Sequence, residues 1–284
     1  MDQTSQRRSL RSVFSDLPLT ALDFVPPVMI TGVTSDSRHV RKGYAFVAIK
    51  GESSDGFNYI PSAVANGARV ILSDRPKPDG LTIPYVRLQG DLHFALAYLA
   101  ASFERFPARK LRMIGVTGTD GKTTTSMLIH HLLTQSGIRA GMISTVNALI
   151  GDQELDTGFH VTTPDSPDIQ AYLAQMVAAG MTHCVLETTS HGLAQGRVIA
   201  CDYDLAVITN VTHEHLDYHG SYENYLQTKG RLFEMLRETP RKRIGNLRLA
   251  VLNKDDRSYD YLQRVSPPGF LTYSRINEAH FWAD

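Results

Sequence analysis

Apolar positions follow two rhythms along this chain, and their alternation predicts an α/β protein. Residues 44–49, 69–72 and 84–88 are short β-rich runs, and 58–66 between the first two reads as a helix. Asp91 stands as an N-cap before a segment that places Leu92, Leu96, Leu99 and Phe103 on one helical face. Pro107-Ala108-Arg109-Lys110 breaks that segment and is the expected hinge, which gives domains 1–109 and 110–284.

The second half repeats the alternation. Residues 112–116 form an apolar run that leads into Gly118-Thr119-Asp120-Gly121-Lys122-Thr123-Thr124. Residues 123–135 then place Met127, Leu128, His131 and Leu132 at helical spacing, with Gly137 as a C-cap. Asp165-Ser166-Pro167-Asp168 is a helix start, with Ile169, Leu173, Met176 and Val177 expected inward. Strands are expected at 182–186, which delivers Glu187 at its end, at 204–210, and at 248–256, which has a polar end. A helix over 221–237 carries Lys229.

Composition narrows the class. At about 150 residues per domain, 284 residues predict two domains. Hydrophobic content of 42% and charged content of 20% fit a soluble protein with a real core. Twenty-nine basic and 29 acidic side chains cancel, so no global field points to nucleic acid or an anionic membrane. Cys184 and Cys201 sit in or beside apolar stretches and read as reduced core thiols. Residues 1–11 lack the apolar core of a signal peptide, and no run is long enough to span a bilayer. A cytoplasmic protein without membrane insertion is expected.

The candidate chemistry centres on residues 118–124. Strand, glycine-rich turn and helix together form a phosphate-binding context, in which backbone N–H groups and the helix N-terminus favour an anion. Lys122 is expected to reach the β/γ-phosphates and the Thr123 hydroxyl to face magnesium. The general pattern asks for glycine where Val116 stands, so the loop is a shortened variant. Glu187, at the C-terminal end of a strand, could complete a magnesium shell begun by Thr123. Asp36-Ser37-Arg38 and the 51–56 loop read either as turns or as binding elements. His213, His215 and His219, with Glu214 and Asp217, invite a zinc reading, but their spacing departs from H-E-x-x-H. For Lys229 the residues alone suggest a packed stem with a solvated ammonium.

Taken together, these motifs resemble the Mur ligases, the ATP-dependent amide ligases of peptidoglycan synthesis. The closest branch is the UDP-N-acetylmuramoyl-tripeptide synthetases, which add the third peptide residue. The resemblance runs from Asp36-Ser37-Arg38 through Gly118 to Thr124, Thr162-Thr163-Pro164, Glu187-Thr188-Thr189-Ser190-His191-Gly192-Leu193 and Asn210 to Gly220, ending at Asn253-Lys254-Asp255-Asp256.

It implies a small UDP-binding α/β domain followed by a P-loop domain with a mostly parallel sheet, left incomplete at its C-terminus because family members carry a third domain. It implies that Ser37, Glu52, Ser53 and Ser54 lie near the uridine diphosphate end of the substrate. Thr162, Thr163, Thr189, Gln195 and Arg197 would contact the muramoyl dipeptide. Gly118, Thr119, Asp120, Gly121, Lys122, Thr123 and Thr124 would hold ATP, with Asn253 near the adenine. Thr123, Glu187, His215 and Lys229, the last as a carbamate, would place magnesium ions; Lys122, Glu187, His215 and Lys229 form the implied catalytic set. The implied partners are UDP-N-acetylmuramoyl-L-alanyl-D-glutamate and a diamino acid, either meso-diaminopimelate or L-lysine, handled by a monomer.

Two departures stand out: Glu214 and Thr189 replace the family's usual aspartate and serine. Three alternatives compete with this ligase reading. They are a non-catalytic homologue that binds nucleotide or UDP-sugar, another ligase of the superfamily such as a folylpolyglutamate synthase, and a zinc hydrolase built on the three histidines.

Overall fold

The computed structural model describes residues 7–15, 17, 20–21, 23–51, 54–156, 163–214 and 216–282. The chain forms two compact units, Met1–Phe106 and Pro107–Asp284.

In the first unit the strands are β1 (Arg8–Ser9), β2 (Thr20–Ala21), β3 (Met29–Ile30), β4 (Val33–Thr34), β5 (Ala45–Val47), β6 (Val70–Ser73) and β7 (Tyr85–Gln89). β1 and β3 pair antiparallel, and the other five form a sheet in the order β2-β7-β6-β5-β4. β4 to β7 run parallel, and β2 joins the edge antiparallel. All four residues of β6 are buried, as expected of a parallel strand covered on both faces.

Helices α1 (Leu10–Ser15) and α3 (Leu92–Phe103) contribute to one core, where Leu92, Leu96, Leu99 and Phe103 meet Leu10, Val13, Val70 and Val86. Helix α2 (Ile60–Ala65) brings Ile60 and Ala63 against Phe46 and Ile71 in a separate cluster. Asp91 caps α3 by accepting the His93 N–H. The helix expected at 58–66 is split: Gly56–Tyr59 is a 3-10 turn, and α2 begins after it, with Pro61 in its first turn.

The second unit holds β8 (Arg112–Thr117), β9 (Ala140–Ile143), β10 (Asn147–Ile150), β11 (Gln153–Asp156), β12 (His183–Glu187), β13 (Leu205–Ile208), β14 (Leu249–Asn253), β15 (Phe270–Ser274) and β16 (Phe281–Trp282). They form one nine-stranded sheet, β11-β10-β9-β12-β8-β13-β14-β15-β16. The seven strands from β9 to β16 in that order are parallel, and β10 and β11 close one side as an antiparallel hairpin. β12 lies on one side of β8 and β13 on the other, so the chain changes winding direction around β8. The crevice above the C-terminal end of such a strand is where open α/β sheets bind ligands.

The helices of this unit are α4 (Lys122–Gln135), α5 (Ser166–Ala178), α6 (Ser190–Ala194), α7 (Leu216–His219), α8 (Tyr222–Glu238) and α9 (Tyr259–Val265). Ile169, Leu173 and Met176 of α5 enter the main core as expected, and Val177 packs against it. Helix α4 forms where expected, but its apolar stripe faces outward: Met127, Leu128 and Leu132 are exposed, while Ile129 and Leu133 pack on the sheet with Ser126 buried. The spacing of Met127, Leu128 and Leu132 marks a helix without identifying its buried side.

Two features stand at the other end of the strands. The supposed hinge Pro107–Lys110 is a 3-10 turn with Pro107 and Ala108 buried, and Ala108 belongs to the main core of the second unit. Arg109 anchors it through an ion pair with Asp202, Nε to Oδ2, at 3.0 Å. Beside it lies a buried pair that the sequence does not announce. Lys242 Nζ stands 2.6 Å from Asp204 Oδ2, both side chains fully buried, and also donates to the Leu111 carbonyl at 3.0 Å. The same Asp204 oxygen accepts the N–H of Met113, the second residue of β8.

Removing one member of such a pair leaves a desolvated charge, so Asp204→Ala is expected to cost about 3–5 kcal/mol of stability. An unfolding free energy from urea denaturation within about 0.5 kcal/mol of the parent, the scatter of an ordinary surface change, would show that the pair is not structural. The two cysteines are buried and free, and burial pushes both thiols up in pKa, which leaves them unreactive.

Candidate functional site

The loop after β8 owes its shape to two glycines. A Cβ on Gly118 would lie 1.7 Å from Thr209 Oγ1, and Gly121 sits at φ 76° as the N-cap of α4. Val116 is buried inside β8, so the shortened pattern places the turn wholly within residues 118–121.

The strand beside it holds the loop in place. Thr119 N–H donates to the Asn210 carbonyl at 2.8 Å, and Asp120 N–H donates to Asn210 Oδ1 at 3.1 Å. Thr209 Oγ1 donates to the Asp120 carbonyl at 2.7 Å. Lys122 is the first residue of α4 and folds back to the Thr119 carbonyl at 2.6 Å; Thr124 is exposed on the same turn. The first N–H groups of α4 have no intrahelical partner, and together with Lys122 they are donors suited to an anion.

Beside the loop lies an oxygen-rich corner. Glu187 ends β12 almost fully buried, and its Oε2 accepts Thr123 Oγ1 at 3.0 Å. Thr145, after β9, donates its hydroxyl to the same oxygen at 3.0 Å and its N–H at 3.3 Å. Glu187 Oε1 is buried and lacks a hydrogen-bond partner among the described residues. A buried carboxylate oxygen with hydroxyls alongside is the donor set that a hard divalent cation takes. Thr123 and Glu187 therefore fit magnesium. Sequence reading missed Thr145. Thr145 follows β9, and only the pairing of β9 with β12 brings it beside Glu187.

Lys229 departs from the solvated reading. It is 1% exposed, donates to the Gly118 carbonyl at 2.7 Å, and stands 4.4 Å over the Tyr225 ring. Burial pushes its pKa well down, the nearby Lys122 charge adds to that, and Glu214 and Asp120 oppose it. Tyr225 bridges to the loop, its hydroxyl 3.2 Å from Thr119 Oγ1, and burial raises its pKa to about 12.

A second group gathers around α6. Thr189 caps that helix and lies 3.0 Å from Thr163, hydroxyl to hydroxyl. Arg197 donates to the Thr163 carbonyl at 2.7 Å and pairs with Asp165 at 3.2 Å. Gln195 reaches the Tyr218 hydroxyl at 3.4 Å. The fold thus draws Thr163, Thr189 and Arg197 together, with Gln195 one turn away.

Both functional atoms of the Asn253 side chain are engaged, Nδ2 with the Thr209 carbonyl and Oδ1 with the Asp255 N–H, which ties the end of β14 to β13. In the first unit, Ser37 is buried and its carbonyl accepts Asn66 Nδ2 at 2.8 Å. Asp36 accepts the Arg38 N–H and pairs with its guanidinium at 2.6 Å, chiefly a hydrogen bond that holds the carboxyl below its usual pKa. That cluster is a turn, whatever else it does. Ser54 is exposed on its loop. Glu52, Ser53, Thr162 and His215 lie outside the described residues. Among the described residues, no group of three or more His, Cys, Asp and Glu side chains is placed to hold a metal ion. The oxygens beside Glu187 come from threonine hydroxyls instead.

A parallel sheet whose central strand ends in a glycine turn, a Lys-Thr pair and a helix defines the class of P-loop proteins. The sequence profile of the Mur ligase middle domain matches residues 116–284, and that of the Mur ligase family catalytic domain matches residues 29–103. The chain belongs to the Mur ligase family.

It is 41% identical to a UDP-N-acetylmuramyl-tripeptide synthetase of Deinococcus radiodurans, over 94% of this chain and 52% of the relative. It is 38% identical to a UDP-N-acetylmuramoyl-L-alanyl-D-glutamate–2,6-diaminopimelate ligase of Caldanaerobacter subterraneus, over 91% of this chain and 51% of the relative. A solved structure of a UDP-N-acetylmuramoyl-L-alanyl-D-glutamate–2,6-diaminopimelate ligase superimposes with a TM-score of 0.79 at 30% identity, covering 98% of this chain and 55% of that one. MurF from Acinetobacter baumannii shares the fold at TM-score 0.62 and 20% identity, over 94% of this chain and 53% of that one. The chain spans about half the length of the curated relatives it matches. Among the described residues, no helix is long and apolar enough to cross a membrane.

Proposed function

We propose that this chain carries the nucleotide and acceptor sites of an ATP-dependent ligase. In this reading it adds a diamino acid, meso-diaminopimelate or L-lysine, to UDP-N-acetylmuramoyl-L-alanyl-D-glutamate. One observation carries the reading. The loop at 118–124, the Thr123–Glu187 corner and a buried Lys229 converge on the C-terminal end of β8, which is more than binding alone requires. The names of the relatives supply the substrate class.

The substrate carboxylate attacks the γ-phosphate of ATP, the bond to ADP breaks, and an acyl phosphate results. The amine of the diamino acid then attacks that carbonyl, phosphate leaves, and one amine proton is lost. Both reactants of the first step are anionic, so the protein's task is alignment and charge compensation. Lys122 and the N-terminus of α4 hold the phosphates; Thr163, Thr189, Gln195 and Arg197 hold the acceptor peptide. Thr123 and Glu187, with His215, would hold magnesium, which when bound neutralises charge on the transferring phosphoryl group. Lys229 fits a carbamate: burial favours its neutral amine, which joins carbon dioxide with loss of one proton and becomes an anionic ligand. Ser37 and the 52–54 loop would serve the uridine diphosphate end, and Asn253 would flank the adenine.

The test is a ligation assay with UDP-N-acetylmuramoyl-L-alanyl-D-glutamate, magnesium-ATP and a panel of amino acids, read by mass spectrometry. It is run on this chain alone and within its full reading frame. A tripeptide product with equimolar ADP is expected and identifies the third residue. UDP-sugar binding with no product from either form would point instead to a binding module.

A further inference from the structure

We propose that the loop at 240–248, between α8 and β14, docks this protein onto an anionic membrane surface. The loop lies at the opposite edge of the sheet from residues 118–124. Arg248 leads directly into β14, and Lys242 donates to the carbonyl of Leu111, just before β8. β8, β13 and β14 are parallel, so their starts share one edge and the glycine loop lies at the other.

The loop is built from below. Lys242 points inward to its buried pair with Asp204, and its own N–H donates to Asn246 Oδ1 at 2.8 Å. Asn246 Nδ2 donates to the Pro240 carbonyl at 2.9 Å. Arg112 of β8 donates to the carbonyls of Ile244 at 2.6 Å and Gly245 at 3.0 Å, and Arg248 to that of Thr239 at 2.8 Å. Polar groups of the loop are thus satisfied from within the protein, while its apolar tips are not covered. Ile244 is 39% exposed and Leu247 56%, with Arg241 and Arg243 exposed on either side of Lys242.

The charge here is one-sided. The bonds of Arg112 and Arg248 end on neutral carbonyls, and the ion pairs of the described residues use no arginine of this loop. Residues 239–248 contain no aspartate or glutamate, although basic and acidic side chains balance over the whole chain. Arginines around protruding aliphatic side chains suit an anionic bilayer: the guanidinium groups meet headgroup phosphates and the aliphatic tips enter the acyl boundary. Nucleic acid fits less well, because residues 239–248 offer no aromatic ring for a base to stack on. Docked through this loop, the protein keeps the crevice at the C-terminal end of β8 turned away from the bilayer and open.

The proposal is independent of the ligase reading, and its test needs no reaction. This chain is sedimented with vesicles of phosphatidylglycerol and phosphatidylcholine in equal parts, and with vesicles of phosphatidylcholine alone. Binding is expected to the mixed vesicles and to fall as salt is raised, since exposed charges are screened. Each arginine near such a surface contributes about fivefold in partitioning, or about 1 kcal/mol, so R241Q/R243Q is expected to weaken binding roughly 25-fold. I244S/L247S is expected to weaken it about tenfold. The added fluorophore of L247W is expected to be quenched by brominated acyl chains, beyond any quenching of Trp282 in the parent. Thermal melts like the parent's show that the variants fold, and L247W carries the test of insertion should I244S/L247S fail to do so.

No preference for the mixed vesicles would overturn the proposal, as would unchanged binding in R241Q/R243Q. Unchanged binding in I244S/L247S, or no quenching in L247W, would reduce the contact to charge alone and overturn it too. Polyglutamate and a DNA duplex serve as competing anions. Tighter binding to either than to the mixed vesicles, lost in R241Q/R243Q, would assign the loop to an acidic protein or to nucleic acid instead.

Discussion

Lys122→Ala is expected to weaken ATP and ADP binding to this chain by roughly 10- to 150-fold. That range corresponds to a charge-assisted hydrogen bond of about 1.5–3 kcal/mol. It is also expected to remove ligation in the full reaction. Lys122 opens α4, where the helix already favours negative charge, and its ammonium is parked on the Thr119 carbonyl at 2.6 Å. A phosphate gives that ammonium a better partner without moving the backbone, because Thr119 and Asp120 are tied to Asn210 independently of the lysine. The variant should therefore fold normally and fail at binding alone. Isothermal titration with ADP, beside a thermal melt, makes the check. Unchanged affinity in a folded variant would remove the loop from the nucleotide site.

How much of this was legible beforehand differs from residue to residue. Gly118, Lys122 and Thr123 declare themselves because the chemistry of a phosphate loop is local: glycine, lysine and hydroxyl fall within one turn. Glu187 was legible as well, since a carboxylate ending a buried strand lies on the ligand edge of the sheet. Thr145 was not, because its importance comes from β9 lying beside β12, and sheet order is not written in either strand. Asp204 and Lys242 were hidden for a related reason: 38 residues separate them, and each alone looks like a surface charge. The α4 stripe shows the opposite failure. Its period was read correctly, but Ile129 and Leu133 are the residues that pack on the parallel sheet, and Met127, Leu128 and Leu132 stay outside. Lys229 looked ordinary because helical spacing cannot say that α8 presses it under the Gly118 carbonyl.

Lys229 carries the other large expected effect. Lys229→Ala should abolish ligation, and short carboxylates such as formate or acetate should restore a measurable part of it by filling the vacated space with an anionic oxygen. No restoration at any concentration, in a folded variant, would leave the carbamate without support. A stability measurement tests the same side chain without the reaction. Burial depresses the Lys229 pKa below its ordinary 10.5, so between the folded value and 10.5 the unfolded chain binds more protons than the folded one. Stability from this group therefore rises with pH across that window. The penalty is complete below the folded value and absent above 10.5, and each pH unit between is worth about 1.4 kcal/mol. Lys229→Met removes the group while keeping most of the stem. In buffers freed of carbon dioxide, its gain in melting temperature over the parent should shrink as pH rises toward 10. Restoring bicarbonate should narrow the gap at lower pH, since a carbamate replaces a buried cation by an anion beside Lys122. A gap indifferent to both pH and bicarbonate would mean that Lys229 is satisfied as an ammonium. In that case the Gly118 carbonyl and the Tyr225 ring would be its final partners rather than its resting place.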